Sequence, residues 1–112
     1  MAGIESKYAF NASRRINWMG RSGRAYDLIS ESLDHFAMGD GEVHIIAKGS
    51  HVLWVGSTDE LVTDPMSRTR FRLALDCADR AFRLLAPAAL ADRLATIWDL
   101  EGAAPLTEAQ AA

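Results

Sequence analysis

The sequence has a single cysteine, Cys77, so no disulfide can close within it. Its three histidines, His35, His44 and His51, form no ligand-like group with that cysteine, which excludes a tetrahedral structural zinc site. No run approaches the roughly 18 apolar residues of a membrane-spanning helix. The opening "MAGIESKYAF" lacks the basic start and apolar centre of a secretory signal. No membrane association is expected, and the expected compartment is the cytoplasm. "GRSGR" at 20–24 lacks the Gly-Lys-Ser/Thr ending of a phosphate loop, and no cofactor or metal is expected. Without covalent or metal staples, packing must hold the fold. A chain of 112 residues, 49% hydrophobic and 24% charged, suits one globular domain.

The net charge of -3 argues against a globally electrostatic nucleic-acid binder, but the charge is unevenly spread. Residues 1–30 carry five Lys/Arg against two acids, and 31–64 carry one against seven. Residues 65–85 carry five arginines against two aspartates, and 86–112 one arginine against four acids. If the two basic segments meet on one face, they form a local phosphate-binding patch. Otherwise their arginines make ordinary solvated ion pairs.

Residues 1–12 show little periodicity and read as a flexible lead-in. "RRINWM" and "AYDLIS" alternate apolar and polar residues around "GRSGR", which predicts a β-hairpin with its tip near Ser22 and Gly23. Such a hairpin gathers Arg14, Arg15, Arg21 and Arg24. "ESLDHFAMGDG" reads as a loop with about one helical turn. "EVHIIAK" and "HVLWVG" flank a Gly-Ser turn and form a second hairpin, apolar on both faces, so both strands are expected inside the sheet.

Ser57 and Glu60 have capping-box spacing, and Asp64 followed by Pro65 marks a second helix start. That helix is expected to bury Phe71, Ala74, Leu75, Ala78 and Phe82, with Arg72, Asp76 and Arg80 paired on another face. Cys77 is expected as a small buried hydrophobe, and "AFRLL" at 81–85 fits either helix or a strand returning to the sheet. From Pro87, the stripe Leu90, Leu94, Ile97 and Trp98 predicts a last helix packed on the sheet. The expected architecture is therefore α+β, a small antiparallel sheet of two hairpins packed with two or three helices. It occupies residues 13–100, with 101–112 a flexible tail.

"EVH" at 42–44, "WVG" at 54–56, the following "GSTDEL" and the preceding "INWMGRSGRAYDL" together resemble the GIY-YIG nuclease domain. The resemblance spans residues 13 to about 100. In that family two tyrosines and an arginine organise the water nucleophile and the scissile phosphate, and a glutamate holds one divalent cation. Here His44 and Trp54 stand at the tyrosine positions, and either Arg68 or Arg70 matches the arginine. The last helix offers Asp92 and Asp99, with no glutamate before Glu101. Histidine can accept a proton, whereas indole only donates. The resemblance therefore implies a catalytically degenerate relative, with His44, Arg68 and Arg70 as the candidate remnants.

Two functions compete. A non-hydrolytic nucleic-acid-associated domain would use Arg14, Arg15, Arg21, Arg24, Arg68, Arg70 and Arg72 on phosphates. A protein-interaction module or small homo-oligomer fits the acidic total charge and the many apolar residues, and it predicts a contiguous apolar surface patch. An active metal-dependent nuclease ranks below both. Trp18, Trp54 and Trp98 are expected in the core, although an exposed tryptophan beside arginines is also a base-stacking platform.

Overall fold

The computed structural model describes residues 14–106, with His35 by its backbone alone. The expected lead-in and the last six residues of the expected tail lie outside that range. Among the described residues, six strands and three helices follow one another. They are β1 (Arg15–Met19), β2 (Ala25–Glu31), β3 (Glu42–Lys48), β4 (His51–Gly56), α1 (Thr58–Thr63), α2 (Pro65–Cys77), β5 (Arg80–Leu85), α3 (Leu90–Glu101) and β6 (Ala104–Pro105). A short 3-10 turn, Leu33–His35, interrupts the β2 to β3 connection. The fold is α+β, with every strand pair antiparallel in the order β4-β3-β5-β2-β1-β6. Among the described residues, no helix is long and apolar enough to cross a membrane.

Both expected hairpins are present. Trp18 pairs with Tyr26 across the first, whose tip contains Gly23 at φ 88°, a conformation that glycine adopts without a Cβ penalty. In the second, Ile46 pairs with Trp54, and a bulge at Leu53 shifts the register before Ala47 meets Val52. The hairpins are not neighbours, because β5 lies between β3 and β2. Of the two readings of "AFRLL", the strand is the one adopted.

β3 is buried from Val43 to Ala47, as its continuous apolar run requires. Its odd-numbered residues join Trp18, Leu28 and Phe82 in a core closed by Ile97 and Leu100 of α3. On the opposite face Ile46 packs with Trp54, Ala81 and Ala74 of α2, flanked by Leu33, Phe36 and Phe71. Each large side chain in these clusters contributes roughly 1.5–3 kcal/mol through removal from water.

Several expectations are corrected. Among the described residues β4 is an edge strand, because it pairs only with β3, although helices cover both of its faces and bury Trp54 and Val55. α2 stops at Cys77, which is exposed, and Phe82 lies in β5. Ala78 caps the helix in an extended conformation, so the 3.6-residue pattern breaks just before the return strand. Leu75 is 37% exposed, since the short helix turns mainly Ala74 and Phe71 inward. Arg80 is likewise in β5, with its guanidinium over the Phe82 ring. At the other end, Glu101 closes α3 and Ala104–Pro105 pair with Met19 and Trp18, so order runs past residue 100.

Candidate functional site

His44 is fully buried on β3. The Gly39 amide donates to its Nε2 at 3.1 Å, so Nε2 is the unprotonated nitrogen and the proton sits on Nδ1. Nδ1 lies 3.5 Å from Glu31 Oε2, and Nε2 lies 3.7 Å from Glu42 Oε1. Arg83 bridges the two carboxylates, at 3.5 Å from Glu31 and 3.2 Å from Glu42. Phe36 meets the imidazole edge-on, with ring centroids 5.4 Å apart. His44 is thus a hydrogen-bonded strand histidine, which holds the 36–41 loop over the sheet. Glu31 and Arg83 belonged to no motif in the sequence, and Glu42 entered only as the first residue of "EVH". They meet because β5 is inserted between β3 and β2 and places Arg83 between the two carboxylates on one face.

The candidate arginines are dispersed. Arg68 Nη1 donates to the carbonyls of Leu61 and Val62 at 2.8 and 3.1 Å, so its guanidinium caps the C-terminal end of α1. Arg70 borders a hollow beside the free edge of β4, with Trp54, Ser67 and Glu101. Arg72 borders another together with Arg68, beside Leu61, Phe71 and Leu75. At the hairpin end, Arg15 pairs with Asp27 at 2.7 Å and the Arg14 carbonyl accepts the Ser30 amide. The Arg21 guanidinium lies 4.8 Å from the Trp98 ring centroid, and that of Arg24 lies 5.0 Å from the Tyr26 ring centroid. The two basic segments therefore do not merge. Arg21 and Arg24 flank α3 on one face of the sheet, whereas Arg68, Arg70 and Arg72 ride on the helix that covers the other.

The most developed surface feature surrounds α3. Asp99, buried near the end of this helix, accepts from the Ser22 amide, the Ser22 hydroxyl and the Tyr26 hydroxyl, each at 2.7 Å. Burial acts to raise its carboxyl, yet those three hydrogen bonds and the Arg24 charge hold it below the ordinary value of 3.8. Burial, followed by the hydrogen bond and charge of Asp99, pushes the Tyr26 phenol up to about 12. Arg21 adds a hydrogen bond from Nε to the Trp98 carbonyl at 2.9 Å. These anchors fix the rotation of α3 about its own axis. Thr96, Ile97, Asp99 and Leu100 turn inward, and the expected stripe is split. Leu90, Leu94 and Trp98 face solvent at 59%, 47% and 55% exposure.

Beside α3 lies a cleft of about 480 Å³, lined among others by Ser22, Arg24, Pro87, Asp92 and Trp98. Asp99 and Tyr26 form part of its wall. Among the described residues, no group of three or more His, Cys, Asp or Glu is placed to hold a metal ion. No family model, curated protein or solved structure matches the chain.

Proposed function

We propose that this chain is a protein-interaction domain that docks through the outward face of α3. The observation that carries this reading is the row Leu90, Leu94 and Trp98, spaced four residues apart on a helix otherwise pinned to the sheet. Large apolar side chains aligned on one helix face are what a partner groove engages, whereas scattered exposed leucines need no explanation. Immobilised wild-type protein should retain a partner, or a differently tagged copy of itself, that a Leu94→Asp bait fails to retain. Equal retention by both baits would end this reading.

A second reading, a nucleic-acid-associated domain without hydrolysis, draws on one observation. Trp98 is half-exposed and lies beside Arg21 and Arg24, the pairing of an aromatic platform with cations that single strands favour. The GIY-YIG resemblance belongs with this reading. Fluorescence anisotropy with labelled single-stranded DNA and RNA should show affinity that falls steeply with salt and is lost in Trp98→Ala or Arg24→Ala. An active nuclease ranks below both: His44 is sealed from solvent and Arg68 is engaged with helix carbonyls, which leaves the exposed Arg70 as the arginine for that chemistry.

A further inference from the structure

We propose that His44 is a proton-operated latch, which holds the 36–41 segment on the sheet while its ring is neutral and releases it when the ring takes a second proton. His44 shares a face of β3 with Ile46, opposite the face covered by α3, so the latch goes beyond the docking reading. In the neutral ring Nε2 accepts the Gly39 amide at 3.1 Å. A proton on that nitrogen turns the acceptor into a donor, and two N–H groups then face each other across the same gap. The bond cannot persist. Another acceptor stands by, because Glu42 Oε1 lies 3.7 Å from Nε2 and its carboxylate occupies the space that a Cβ on Gly39 would need. With Glu31 Oε2 3.5 Å from Nδ1, the imidazolium would lie between two carboxylates.

The charges around the ring come from three strands: Glu31 of β2, Glu42 of β3 and Arg83 of β5. β4 sets only Gly56 opposite His44, and α2 reaches the cluster through Phe71 against Phe36. Asp40, in the same segment, accepts from the Thr58 hydroxyl at 3.3 Å. Two carboxylates against one guanidinium leave the cluster with an excess negative charge while His44 is neutral, and the second proton cancels it. Burial and the Gly39 bond oppose that proton. Opening of the segment removes both obstacles, since water reaches the ring and the Gly39 amide is freed. Protonation and opening are thereby coupled, with the latch closed at higher pH and open at lower pH.

The segment is anchored next at Gly41, whose carbonyl accepts the Ala86 amide at 2.8 Å. Asp40, Gly41 and Glu42 line a cleft of about 520 Å³ together with Thr58, Pro87 and Arg93. Release would reshape this cleft and uncover Phe36 and Met38, which pack beside Ile46 and Trp54.

Nuclear magnetic resonance of the full chain between about pH 7.5 and 5 tests the proposal. The ring nitrogens of His44 should pass from the neutral to the doubly protonated form. The Gly39 amide resonance should move with the same midpoint, and its protection from exchange should fall about tenfold or more. Glu42→Gln removes the excess charge, so both midpoints should drop together by about half a pH unit or more. In His44→Gln, whose side-chain carbonyl can accept the Gly39 bond without titrating, the Gly39 resonance should stay in place. If that variant fails to fold, the coincidence of the two midpoints and their joint movement in Glu42→Gln still decide. A ring that stays neutral throughout, a Gly39 amide indifferent to the ring, midpoints unmoved by Glu42→Gln, or the same Gly39 change in His44→Gln would each overturn the latch.

Discussion

Tyr26 and Asp99 are 73 residues apart in the chain, yet the phenol donates to the carboxylate across 2.7 Å in the buried seam between β2 and α3. This contact, with the two bonds from Ser22, decides which side of α3 faces water. It also predicts how stability changes with pH.

Asp99→Asn should cost about 1–3 kcal/mol near neutral pH, because it removes the charge that three donors face. The folded carboxyl has a lowered pKa, so its contribution is present above 3.8 and is lost as pH falls through the lower folded value. Denaturant titrations of wild type and variant should therefore converge in strong acid. An unchanged difference across that range would show that the carboxylate is not the stabilising species.

At the alkaline end, the raised phenol acts in the opposite sense. Its stabilising contribution is complete below 10.0 and declines as pH rises through about 12. In a Tyr8→Phe background, ultraviolet absorbance should report a phenolate transition near 12 in the folded protein. Asp99→Asn should move that transition down.

Gly20 has no room for a side chain, because a Cβ there would lie 2.5 Å from the Asp99 carboxylate. Gly20→Ala should consequently destabilise the protein by about 1–3 kcal/mol, through displacement of Asp99 from its donors. Adding Asp99→Asn should cost less than the sum of the two single changes, which a double-mutant cycle would detect. Strict additivity would mean that the two sites are independent.

His44→Ala should cost about 2–4 kcal/mol, since it opens a cavity and strips the Gly39 amide of its acceptor. Hydrogen exchange should accelerate at Gly39. If global stability fell with no local loss of protection, His44 would be filling space rather than holding the loop.

The start of α1 offers a local test. Ser57→Ala removes the hydroxyl that accepts from the Asp59 amide at 3.3 Å, leaves the Ser57 amide donating to Glu60 Oε1, and should cost about 1 kcal/mol by denaturant titration. Arg93 of α3 lies 3.2 Å from Asp59 and 3.6 Å from Glu60, so hydrogen exchange should also accelerate in the first turn of α3. Unchanged protection there would mean that the cap and the ion pairs are independent.

These cases mark how far the sequence could be read. The glycines of "GRSGR", the capping box at Ser57 and the Asp64-Pro65 start are local devices whose chemistry lies within about four residues, so they were legible as written. The continuous apolar run in "EVHIIAK" likewise required a strand buried on both faces. Strand order was not legible, because a two-residue period records which faces are covered and not which strand lies alongside. The placement of β5 between the hairpins, and with it the meeting of Glu31, His44 and Arg83, follows from long-range pairing. The face presented by α3 was equally hidden. Leu90, Leu94, Ile97 and Trp98 form a continuous apolar arc by periodicity alone, and hydrophobicity cannot select which part of so broad an arc turns inward. Sequence by itself determined that this segment is an amphipathic helix. The buried bonds of Asp99 to Ser22 and Tyr26, made only in the folded chain, decided that Leu94 and Trp98 stay outside, because a desolvated carboxylate tolerates few other orientations.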